Sequence, residues 1–69
     1  MRLDLFTQET GLEIEVDESY YDPECGNNRY RITNSTSLLD VISRISKFNS
    51  NHSRYIKPLI LNKEIFIYL

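Results

Sequence analysis

Alanine is absent from the 69 residues, and glycine, proline, cysteine and histidine are scarce, at two, two, one and one. Each shortage excludes something. One thiol, Cys25, closes no internal disulfide, and one imidazole, His52, cannot complete a zinc tetrad with it. Gly11 and Gly26 lie far apart, so no glycine-rich loop is present to cradle a phosphate. No apolar run approaches the ~18 residues of a membrane span, and the start, Met1 to Gln8, lacks the apolar stretch of a secretory signal. The expectation is a cytoplasmic protein that does not enter a membrane and keeps its single Cys reduced. The sequons Asn34-Ser35-Thr36 and Asn51-His52-Ser53 then read as loop and cap residues rather than glycan acceptors.

What replaces the missing types is eight Ile, six Asn and five Tyr. Their codons are AT-rich, whereas those of Ala, Gly and Pro are GC-rich. The bias suggests a low-GC genome, and a chain this short from such a genome suggests a virus or a mobile element. The length makes one domain, which buries only about 60% of its unfolded surface. Without a disulfide or metal staple, such a domain gains from oligomerising or binding a partner.

The net charge of −2 conceals an uneven distribution. Residues 1–24 carry eight acids and one base; residues 25–69 carry two acids and seven bases. The stretch LEIEVDESYYDPEC, residues 12–25, holds six carboxylates and no base. Three readings are open. Glu13, Glu15 and Asp17 can face Arg29 and Arg31 across a hairpin, which is ordinary sheet pairing. Glu18, Asp22 and Glu24, mixed with Tyr20 and Tyr21, can contact a basic partner, since aromatics among charges suit interface hot spots. Or the acids can imitate DNA phosphates and block a nucleic-acid-binding protein.

Periodicity predicts the elements. Residues 1–6 alternate as a strand, with Leu3 and Leu5 opposite Asp4 and Phe6. Residues 7–11 read as a hairpin loop ending in Gly11. Leu12, Ile14 and Val16 alternate with Glu13, Glu15 and Asp17, the pattern of a half-buried strand. After the turn residues 22–28, Tyr30 and Ile32 alternate with Arg29, Arg31 and Thr33. Ser37 is a helix N-cap with Asp40 three residues on, and Leu38, Leu39, Val41, Ile42, Ile45 and Phe48 span one arc. Residues 49–53 end that helix. Residues 55–61 and 64–69 form two strands around an Asn62-Lys63 turn.

The expected fold is therefore α+β: an antiparallel or mixed sheet of four to five strands, in β-β-β-α-β-β order, with one helix on one face. The ββ-α-ββ order resembles the ubiquitin-like β-grasp fold, and the helix entry Ser35-Thr36-Ser37-Leu38-Leu39 resembles that of its small sulfur-carrier relatives. Those carriers end in a Gly-Gly tail that is adenylated. This chain ends in Ile65-Phe66-Ile67-Tyr68-Leu69, so their chemistry does not carry over.

Catalysis lacks its parts. Cys25 and His52 sit in separate loops without a nucleophile motif. The acids on an exposed strand face are not placed for general acid–base work. The cluster Asp17, Glu18, Asp22 and Glu24 lacks the spacing of a calcium loop. No cofactor or metal is expected, and no enzyme.

The last strand is apolar on both faces, and one helix covers only one. With Ile65, Ile67 and Leu69 under the helix, Phe66 and Tyr68 face away, joined by Ile60 and Phe6. A monomer then exposes an apolar patch, which marks a partner surface. The expectation is a protein-interaction module, in its most concrete form an inhibitor of a host restriction or CRISPR component, acting in the host cytoplasm. Its contacts would be Glu18, Tyr20, Tyr21, Asp22, Glu24, Phe66 and Tyr68, and a homodimer through the last two is a further possibility. The alternative is a nucleic-acid-binding regulator that uses Arg54-Tyr55-Ile56-Lys57, although a pI of 5.2 disfavours it.

Overall fold

The computed structural model describes residues 3–20, 28–34 and 37–69. Its elements are α1 (Leu3–Thr10), β1 (Ile14–Val16), β2 (Arg29–Ile32), α2 (Leu38–His52), β3 (Leu59–Leu61) and β4 (Glu64–Tyr68). The fold is α+β, with a four-stranded antiparallel sheet in the order β1-β2-β4-β3.

The stretch expected as the first strand is a helix. The order is thus α-β-β-α-β-β with two helices, not β-β-β-α-β-β with one. So short an apolar pattern fits either period, and packing decides between them. Phe6 and Thr10, four residues apart, are buried on one side of α1. The Phe6 ring meets Phe48 of α2 edge-on, with centroids 5.2 Å apart. Phe6 is therefore fully buried in the core rather than on the open face of the sheet.

Residues 7–11, expected as a hairpin loop, are the last turn and cap of α1. Gly11 has φ +73°, and a Cβ there would stand 2.8 Å from Nη1 of Arg44. That guanidinium donates to the Thr10 carbonyl at 2.8 Å. It places positive charge at the negative end of α1's dipole. Asn34 fixes the exit from α1: its amide donates to the Gly11 carbonyl at 2.9 Å and accepts from Glu13 N–H at 2.8 Å.

Ser37 caps α2 as its sequence predicts, its hydroxyl accepting Asp40 N–H at 3.1 Å. The helix runs past Asn49, where it was expected to stop, as far as His52. Tertiary contacts outweigh the poor propensity of Asn-Ser-Asn-His. His52 stacks on Phe48 at 4.6 Å and pairs with Glu9 of α1 at 2.5 Å. The Asn49 amide brackets Ile56, donating to its carbonyl at 2.8 Å and accepting its N–H at 3.1 Å. Residues 54–58 are thereby tied to α2, and β3 begins only at Leu59, beyond Pro58, which has no N–H to give a ladder. The β3–β4 turn is of the expected kind, with φ 50° at Asn62 and 67° at Lys63.

Both helices pack on one face of the sheet. Phe6, Leu12, Val41, Ile45 and Phe48 meet Tyr30, Ile32 and Ile67, with Ile14, Ile65 and Leu69 at the margin. The Cα envelope measures 29 × 26 × 17 Å. Its short axis accommodates one sheet and one helical layer, and among the described residues no helix lies on the other face of the sheet.

Candidate interaction surface

Strand register places the outer face's side chains in two rows. One row runs Glu15, Arg31, Phe66, Leu59; the other runs Asp17, Arg29, Tyr68. Alternation within each short strand forces this, because Tyr30, Ile32 and Ile67 must enter the core.

Most of the charge on this face is internally paired. Arg31 binds Glu15 and lies 3.7 Å from Glu64. Arg29 reaches Asp17 through Nη2 at 2.5 Å and Nε at 2.7 Å. The Ser19 hydroxyl donates to the same carboxylate at 2.6 Å. The Ser19 bond first, and Arg29 second, hold the Asp17 carboxyl below its ordinary pKa. Asp17 in turn raises that of Arg29. The ladder of acids facing Arg29 and Arg31 is thus present at Glu15 and Asp17. Glu13 makes no ion pair among the described residues.

Phe66 faces away from the helices, yet it is only 5% exposed. Arg31 and Leu59 flank it on the neighbouring strands, and the Arg29 guanidinium lies 4.7 Å from the Phe66 centroid and 4.8 Å from that of Tyr20. Tyr20 meets Tyr68 edge-on at 5.5 Å. Tyr68 remains 37% exposed and Leu61 40%. Ile60, expected on this face, pairs with Ile65 and belongs to the inner face, at its open margin. Leu61 takes its place outside. Asp17, Ser19, Arg29, Arg31, Leu61, Asn62, Glu64 and Phe66 line a basin of about 280 Å³.

Tyr20, Phe66 and Tyr68 therefore come together, and Glu18 is exposed beside a neighbouring hollow that it shares with Glu15 and Arg31. Tyr21, Asp22, Glu24 and Cys25 lie outside the described residues. Arg29 was read from sequence only as a countercharge; its stacking role depends on a diagonal contact between strands. Leu61 was legible in principle from its spacing of two from Leu59. Two further concavities are a groove of about 520 Å³ where Leu38 faces Ile60 and Ile65, and one of about 420 Å³ between α1 and β1. Among the described residues no three His, Cys, Asp or Glu side chains converge as metal ligands, and no helix is long and apolar enough to cross a membrane.

Compared with known protein families, curated proteins and solved structures, the chain matches none. The structure shows a small α+β domain with an antiparallel sheet and two helices; it does not bear out β-grasp packing.

Proposed function

We propose that this protein is a non-enzymatic interaction module that binds a protein partner through the outer face of its sheet. The observation that carries the reading is the arrangement around Arg29. Its guanidinium lies over the rings of Tyr20 and Phe66, Tyr68 meets Tyr20 edge-on, and charged and polar side chains line the basin beside them. Tyr and Arg dominate interface hot spots, and side chains already fixed lose little entropy on binding. A basin of about 280 Å³ lies under the usual range of small-molecule sites, roughly 300–1,000 Å³, and suits a partner's side chain.

The more specific form is an inhibitor encoded by a virus or mobile element that covers a host restriction or CRISPR component in the host cytoplasm. Its composition, with no Ala and many Ile, Asn and Tyr, supports that form. Phosphate mimicry is the weaker variant, because Glu15 and Asp17 already engage Arg31 and Arg29.

The test is affinity capture from lysates of the source and its host. Wild type and Tyr55→Ala are expected to retain a partner that the Tyr20→Ala/Tyr68→Ala double variant loses. Retention by the double variant contradicts the assignment. If the face instead joins two copies, light scattering will show a dimer at high concentration that Tyr68→Ala abolishes.

A further inference from the structure

A second surface, at the opposite edge of the sheet, has the chemistry of a different ligand. Residues 41–63 contain no acid and five bases: Arg44, Lys47, Arg54, Lys57 and Lys63. Arg44 is engaged by Asp40 and the Thr10 carbonyl. Among the described residues the other four make no ion pair. Between Arg54 and Lys57 stands Tyr55, 90% exposed.

Tyr55 is not exposed because its segment is loose. Arg54 N–H donates to the Asn49 carbonyl at 3.0 Å, and the Asn49 side chain holds both backbone groups of Ile56, which packs against the core. The backbone on both sides of Tyr55 is thus anchored, and a ligand meets ring and cations without having to order that backbone.

We infer that the α2–β3 connection is a docking site for single-stranded nucleic acid, with Tyr55 as stacking platform and Arg54 and Lys57 as phosphate contacts. The net charge of −2 weighs against nucleic-acid binding by the domain as a whole, so the local charge decides. Strand order β1-β2-β4-β3 sets acidic β1 three strand spacings from β3, roughly 14 Å. The Debye length at physiological salt is about 8 Å, so the β1 acids are largely screened at this edge; of the closer acids, Glu9 is engaged by His52 and Glu64 lies on the neighbouring strand β4. Nucleic acid suits the site better than an acidic protein. Protein hot spots sit in packed pockets, whereas a base needs only an open aromatic face.

The test uses the intact protein and a fluorescein-labelled oligo(dT) of about twelve nucleotides, read by anisotropy. Binding is expected at low salt. For these two phosphate contacts, log K should fall with log salt at a slope near −1.4. Tyr55→Ala should weaken binding about ten-fold or more. Arg54→Gln with Lys57→Gln should flatten the slope by about 1.4. Circular dichroism should show every variant folded, since none of these side chains is buried. Tyr20→Ala/Tyr68→Ala should leave oligonucleotide binding unchanged, which keeps this site separate from the outer face. No binding at low salt overturns the inference. So does binding indifferent to Tyr55→Ala, or equal affinity for poly-glutamate, which points to an acidic protein instead.

Discussion

At Gly11 two constraints coincide: φ +73° and a guanidinium where a Cβ would stand. Gly11→Ala should destabilise the fold by about 1–2 kcal/mol in urea unfolding, from the left-handed backbone alone. Lys63 is the converse case, a non-glycine residue at φ 67°. Lys63→Gly should stabilise by up to about 1 kcal/mol, seen as a raised melting temperature. Asp17 gives a pH dependence. Its carboxyl titrates lower in the folded state, through the Ser19 hydroxyl and Arg29, so its contribution is present above the unfolded value of about 3.9. That contribution is lost as pH falls through the still lower folded value. Asp17→Asn should therefore melt below wild type at pH 7, with the gap closing as acid protonates the folded carboxylate; a gap that persists in acid contradicts the linkage.

Elements whose evidence is local were legible in the sequence. The Ser37 cap with Asp40, the Asn62-Lys63 turn and the alternation at 29–32 each carry their own chemistry within a few residues. Helix α1 does not, because Leu-Asp-Leu-Phe fits a strand as well as a helix. The arbiter is the Phe6–Phe48 contact, which only tertiary structure supplies. Even Gly11 was recognised as a turn residue, but a hairpin and a helix cap need the same positive φ. The two readings separate under proline substitution. Gln8→Pro removes a bond inside α1 and should cost about 3 kcal/mol, with loss of helical dichroism; in a hairpin loop it would cost little. Asn49 shows the same lesson at the end of α2, where a residue of poor helix propensity is kept helical by its bracket on Ile56.

For the whole molecule, one helix was expected on one face of the sheet, and the structure has two helices whose buried residues share its core. What the sequence concealed is how the other face is furnished. Phe66 was expected bare, but register sets it diagonal to Arg29, whose flat guanidinium covers it. The charge asymmetry between halves of the chain divides in two. Glu15 and Asp17 are matched by Arg31 and Arg29, while the bases of 47–63 stay unpaired among the described residues at the far edge. Arg29→Lys keeps the charge but not the planar stacking, so it should lower the melting temperature more than Arg54→Lys does. The outer face as partner surface is tested most directly by NMR titration of the labelled protein with its captured partner. Perturbations should cluster at Arg29, Arg31, Leu61, Phe66 and Tyr68; perturbations confined to residues 54–57, or to the exposed sides of α1 and α2, would contradict it.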